Sequence, residues 1–139
     1  MSEQEVRNAN QGLARKIILD LGKPEWEQYL ADDVVFEYPY APSIGYPSRI
    51  AGRAQVVKYL EGVIAFTHGL TMFDVENIPA LDPNIFYNTY KGEYGIAPGV
   101  IQQYISVLKF KDGKLALQRE YWDPTPFIEI QKEVAGRQQ

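Results

Sequence analysis

Apolar positions follow a helical spacing through the first half of the chain and strand-like runs through most of the second. "EVRNANQGLARKIILDLG" sets Val6, Leu13, Ile17 and Leu21 at helical spacing, and Gly22 predicts the stop. Pro24 opens a short second helix through Leu30, because proline suits a first helical turn. "DVVFEYPYAP" is a β-branched and aromatic run closed by two prolines, which predicts a strand running into a loop. From Arg53 to about Phe66 the helical pattern returns, with Val56, Val57, Leu60, Val63 and Ile64 on one side. Four strand-like stretches follow, at 69–78, 85–91, 100–111 and 114–122. "LDPN" and "GIAPG" separate the first three, and "KDG" predicts a tight hairpin turn before the last. "PTPFIEIQKEV" predicts a short terminal helix.

Helices first and a run of strands afterwards predict an α+β architecture. The expected form is a curved antiparallel sheet wrapped around helices, a cone with an internal pocket. No repeat or low-complexity linker interrupts the 139 residues, so one domain spanning 1–139 is expected.

Composition removes several classes of function. The hydrophobic share of 45% and charged share of 23% are those of an ordinary globular chain. A net charge of −4 argues against nucleic acid or an anionic membrane as partner. With no cysteine there is no disulfide and no thiolate chemistry. No apolar run approaches the roughly 18 residues of a membrane span. "MSEQEVRNAN" lacks the order of a signal peptide, so a cytoplasmic protein is expected. A transition-metal site is not expected either: there is one histidine, and Asp32-Asp33 read as a helix-to-strand corner. That histidine, His68 in "FTHGL", reads as an exposed turn residue. "GRAQ" at 52–55 lacks the glycine spacing of a phosphate loop.

The informative stretch is "QREYWDP". Period-two alternation puts Ala116, Gln118, Glu120 and Trp122 on one face of the last strand, and Leu115, Leu117, Arg119 and Tyr121 on the other. The preceding strand groups Gln102, Tyr104, Ser106, Leu108 and Phe110. A face mixing Gln, Glu, Ser, Tyr and Trp is what a pocket with a few convergent polar groups shows. The bland alternative for Glu120 is a solvated carboxylate paired with Arg119 or a nearby lysine. In a pocket, desolvation lifts a glutamate above its usual pKa of about 4.3 and lets it take and return a proton near neutrality. Tyr38, Tyr59 and Tyr104 are the tyrosines that could hold a developing oxyanion beside it, and packing is the competing role for each.

"YLADDVVFEYPYAP", "IAGRAQVVKYLEGV" and the long hairpin ending in "REYWDP" resemble the nuclear transport factor two-like superfamily. That superfamily contains ketosteroid isomerases, SnoaL-type polyketide cyclases and the phenazine-biosynthesis A/B proteins. "LDPNIFYNTYKG" and "QQYISVLKFKDGKLALQRE" are most similar to the phenazine A/B type. The resemblance implies a cone with an apolar pocket, a homodimer, and no obligatory cofactor. It implies Glu120 as the catalytic glutamate, with Tyr59 near the position of a helix histidine of the phenazine A/B proteins and Tyr38 as a second catalytic candidate. Trp122, Gln118, Ser106, Tyr104, Phe86 and Asn88 become the expected substrate wall. Ketosteroid isomerases have an aspartate base where Tyr38 stands here, an oxyanion-hole aspartate where Ser106 stands, and a first-helix tyrosine where Lys16 stands. Steroid isomerisation is therefore not expected.

Two functional expectations follow. One is a cofactor-free acid/base enzyme that isomerises, cyclises or condenses a ring-bearing small molecule. The other is a non-catalytic module of the same fold that carries a ligand or dimerises. A cavity above about 300 Å³ containing Glu120 favours the first, and a cone plugged by Tyr59, Tyr104 and Trp122 favours the second.

Overall fold

In the computed structural model, which describes residues 1–137, the chain enters α1 (Glu3–Leu19) through a reciprocal cap. Ser2 Oγ accepts from the Glu5 N–H at 3.1 Å while the Glu5 side chain reaches back to the Ser2 N–H. Glu3 and Glu5 also suit the positive end of the helix. The helix stops at Leu19, earlier than the sequence spacing predicts, and Gly22 carries the turn at φ 92°. The buried side of α1 is Asn10, Ala14, Ile17 and Ile18; Val6, Leu13 and Leu21 flank it half-buried. Residues Pro24–Tyr29 form a 3-10 turn instead of an α-helix. That turn delivers Trp26 to the core, where its indole N–H donates to the Ile17 carbonyl at 2.8 Å.

The remaining elements are β1 (Leu30–Glu37), a 3-10 turn at Ala41–Ile44, β2 (Arg49–Ala51), α2 (Arg53–Phe66), β3 (Leu70–Pro79), β4 (Ile85–Tyr94), β5 (Ile101–Lys111), β6 (Lys114–Trp122) and α3 (Pro124–Arg137). The strands make one six-stranded sheet in the order β2-β1-β6-β5-β4-β3, curved and unclosed. Strands β3 to β6 form the expected antiparallel meander. The sheet as a whole is mixed, because β1 joins β6 in parallel. The physical reason is connectivity: α2 and four strands lie between β1 and β6, and such a crossover allows parallel pairing where a tight turn would not. β2, absent from the sequence prediction, is a three-residue strand antiparallel to β1.

The alternation expected for β6 slips near its start. Phe110 pairs with Leu115 and Lys109 with Leu117, which leaves Ala116 as an extra, bulged residue. Leu115 therefore faces inward together with Gln118 and Glu120, and does not share the side of Arg119. On β5, Gln102, Tyr104, Ser106, Leu108 and Phe110 are all buried, as their alternation predicts.

Helices α1 and α2 lie on the sheet, α1 over β3 and β4 and α2 over β1. Between helices and sheet sits the main core, with Ile17, Leu30, Val34, Phe36, Val56, Phe86, Leu108 and Leu115 almost fully buried. A second cluster of Tyr94, Ile96, Ala97, Phe127 and Ile130 docks α3 against the loop after β4. Among the described residues, no helix is long and apolar enough to cross a membrane.

Candidate active site

Three neighbouring strands bring three polar side chains together inside the cone. Glu120 on β6 stands directly opposite Ser106 on β5, and Tyr90 reaches both from β4. The Tyr90 hydroxyl donates to Glu120 Oε2 and is also in hydrogen-bond contact with Ser106 Oγ. Since the phenol has a single proton, the serine hydroxyl is the donor in the second contact. The Tyr90 ring stacks on Tyr104, with centroids 5.0 Å apart and planes at 11°, and the Tyr104 hydroxyl lies 2.9 Å from that of Tyr94. Tyr104 can lie over β4 because residue 92 is glycine: a Cβ there would stand 2.9 Å from its ring.

Glu120 keeps 9% of its surface exposed. Burial pushes its carboxyl up to about 7, and hydrogen bonds from Tyr90 and Trp122 pull against that rise. Its sequence neighbour Arg119 faces the other side of the sheet and pairs with Glu37 across β1 at 3.4 Å. The surface-pair alternative for Glu120 therefore does not hold. Burial, reinforced by the nearby Glu120 charge, holds the phenols of Tyr38 and Tyr90 well above the usual range. The half-buried Tyr59 is pushed up to about 12, again chiefly by burial. At neutral pH these tyrosines are neutral donors, and Glu120 is the acid that titrates.

Glu120 opens into an apolar cavity between the sheet and the helices. Its wall includes Phe36, Tyr38, Tyr59, Tyr104, Gln118 and Trp122, with Ile17 from α1 and Phe127 from α3. The free volume is about 70 Å³, well under the ~300 Å³ of common ligand pockets. Rings fill the remainder: Tyr38 and Tyr59 pack at 6.0 Å, and Trp122 and Phe127 at 6.0 Å. Two carboxamide oxygens, Gln102 Oε1 and Gln118 Oε1, are buried without a partner. In Gln102 the orientation is fixed, because Nε2 donates to the Asp123 carbonyl and leaves Oε1 free.

The structure thus gathers Glu120, Tyr38, Tyr59, Tyr104, Gln118 and Trp122 around one cavity. The other expected wall residues stand elsewhere. Phe86 is core, edge-on to Phe110 at 6.0 Å. Asn88 donates to the Ala14 carbonyl at 2.9 Å and accepts from Asn77 at 2.7 Å, which ties α1 to the sheet. Both share the inward face of β4, but they lie toward its start, where α1 covers the sheet. Ser106 sits behind Tyr90 and does not line the cavity. Sequence reasoning missed Tyr90, Tyr94 and Gln102 as site residues. For the two tyrosines the signal was present, since alternation along β4 puts Phe86, Asn88, Tyr90, Gly92 and Tyr94 on one face. His68 is an exposed turn residue with φ 61°. No group of three metal-ligating side chains occurs among the described residues.

No protein-family model matches the chain. The uncharacterized protein YesE of Bacillus subtilis is 32% identical over 114 residues, spanning 77% of this chain and 74% of that protein. An uncharacterized PhzA/B-like protein of Pseudomonas aeruginosa is 31% identical over 110 residues, spanning 75% of this chain and 74% of that one. Among solved structures, a phenazine biosynthesis-related protein from P. aeruginosa superposes with a TM-score of 0.80 at 16% identity, over 92% of this chain and 88% of that chain. Helices on an unclosed, curved mixed sheet define the α+β cone of nuclear transport factor two-like proteins. Within that fold, the chain belongs to the PhzA/B-like family.

Proposed function

We propose that this protein is a cofactor-free acid/base enzyme acting on a small ring-bearing molecule, with Glu120 as the proton-transfer group. The observation that carries this reading is a cavity-facing carboxyl held near pH 7 and hydrogen-bonded by Tyr90. A carboxyl with that affinity takes a proton from a carbon or nitrogen acid and returns it to a neighbouring atom with little loss either way. Isomerisation, cyclisation and imine-forming condensation, in which the carbonyl oxygen leaves as water, all require such transfers. Tyr38 and Tyr59, neutral and close to Glu120, are placed to donate to an oxygen on which negative charge develops.

The small volume favours a second reading, in which the cone only binds a ligand or supports assembly. One experiment separates the two. Aromatic and alicyclic ketones and amines are screened by thermal shift, and turnover of the hits is compared between wild type and Glu120→Gln. Under the enzyme reading the substitution costs about 10²–10⁴ in rate with the fold intact. Wild-type turnover in the variant would remove Glu120 from the mechanism.

We propose further that the protein works as a homodimer joined through the outer face of the sheet. Ile105 and Tyr87 are exposed there beside the half-buried Val107 and Tyr121, a broad apolar surface of the kind that marks an interface.

A further inference from the structure

Three polar groups of the cavity wall, one carboxyl and two carboxamide oxygens, ask for the same kind of ligand. Glu120 is the ionisable carboxyl, and no lysine, arginine or histidine lies among the described residues that line the space. Gln102 Oε1 is held as an acceptor without a donor, because the Asp123 carbonyl fixes the other end of that amide. Gln118 Oε1, two residues from Glu120 on the same face of β6, is a second buried acceptor without a donor. A buried acceptor left unpaired carries a cost that a ligand N–H or O–H would relieve. The rest of the wall is aromatic, including Trp26, Phe36, Tyr38, Tyr59, Tyr104 and Trp122. Aromatic faces attract cations.

We infer that the cavity selects a small organic amine, bound as its ammonium against Glu120 and the glutamine carbonyls, and rejects carboxylates of the same shape. The inference rests on Glu120 being the polar centre of a ligand cavity, as proposed above, but not on turnover. An ammonium carries several donors on one atom, which suits a carboxylate beside an unpaired carbonyl oxygen. A ligand carboxylate would instead meet Glu120 as a like charge, with no cationic side chain in the wall to offset it.

The groups facing Glu120 are Tyr38 after β1, Tyr59 on α2, Tyr90 and Tyr94 on β4, and Tyr104 on β5. All are phenols held above their ordinary range and neutral at pH 8. α1 and α3 contribute only apolar side chains to the wall. The pH dependence of amine binding therefore follows Glu120.

The test uses cyclopentylamine, cyclopentanol and cyclopentanecarboxylate as a shape-matched series, titrated into the intact protein by calorimetry at pH 8 and pH 6. At pH 8 the amine is expected to bind at least about tenfold tighter than the alcohol, and the carboxylate weaker than either. Because Glu120 titrates near 7, amine affinity should fall about tenfold from pH 8 to pH 6 while alcohol affinity stays level. In Glu120→Gln the amine should drop to the level of the alcohol, and unchanged alcohol binding shows that the cavity is intact. If that variant fails to fold, the pH dependence of the wild type decides. A carboxylate that binds as well as the alcohol, an amine that binds no better than the alcohol, or no binding by any of the three overturns the inference. Catalysis is read separately from turnover, so loss of the enzyme reading leaves the amine preference standing, and the reverse also holds.

Discussion

Tyr90 and Glu120 sit on strands that do not touch, β4 and β6, and they are joined across β5 by a direct phenol-to-carboxyl hydrogen bond. The bond stabilises the carboxylate form and so opposes the upward pull of burial on Glu120. Tyr90→Phe keeps the ring and its stacking on Tyr104 but deletes the donor. The Glu120 midpoint, followed by carbon NMR of the side-chain carboxyl, should move above about 7. Stability should fall by about 1–3 kcal/mol, since Ser106 also loses its acceptor. A midpoint that moves down would remove Tyr90 from the control of this carboxyl.

The pH dependence of stability carries the opposite sign to that of an ordinary salt-bridged carboxylate. Glu120 titrates at about 7 when folded, against an ordinary value of 4.5, so the folded state holds its proton longer. The contribution is fully present below about pH 4.5, declines as pH rises to about 7, and then levels off. The size of the decline is about 3 kcal/mol at 1.36 kcal/mol per pH unit. The difference in unfolding free energy between wild type and Glu120→Gln, measured by urea melts from pH 4 to pH 8, should shift in favour of the variant across that window. A flat difference would mean that Glu120 titrates as an exposed residue.

At Gly95 the loop after β4 runs close against the backbone of His68. A Cβ there would lie 2.1 Å from the His68 carbonyl oxygen, a backbone atom held by the ladder that joins Gly95 to Gly69 and Ile96 to Thr67. Gly95→Ala should cost about 1–3 kcal/mol or more, because no rotamer change relieves a backbone clash. Thermal unfolding should show a drop in Tm of several degrees. A neutral result would mean that the loop after β4 moves freely away from α2.

The outer face of the sheet supplies a test of assembly. Ile105 is 42% exposed at its middle. Light scattering at micromolar concentration should give twice the mass of one chain, and Ile105→Asp should give a monomer that keeps its fold. A wild-type protein with the mass of a single chain would dispose of the dimer.

Much of this architecture could be read from the residues. α2 runs over Arg53–Phe66 as its periodicity predicts, and β6 ends at Trp122 where the aromatic run ends. Local patterns sufficed there because one face of each element is buried by near neighbours. What escaped were features set by distant contacts. The parallel seam between β1 and β6 depends on where two segments far apart in sequence meet. β2 has three residues, too few to show an alternation. Glu120, Gln118 and Trp122 were visible as a polar-aromatic face. Phe86 and Asn88 show the limit of that method: alternation assigns a side of the sheet but not a depth along the cone, and α1 claims the end where they lie.

The bulge at Ala116 determines the sign of the charge inside the cone. Leu115 must face inward against Phe110, and Glu120 stands five positions further along, an odd offset, so a strictly alternating strand would turn the carboxyl outward. Paired without the bulge, β6 would set Arg119, not Glu120, opposite Ser106. The interior would then hold a guanidinium between Leu117 and Tyr121. A single unpaired alanine separates an acid-lined chamber from a base-lined one.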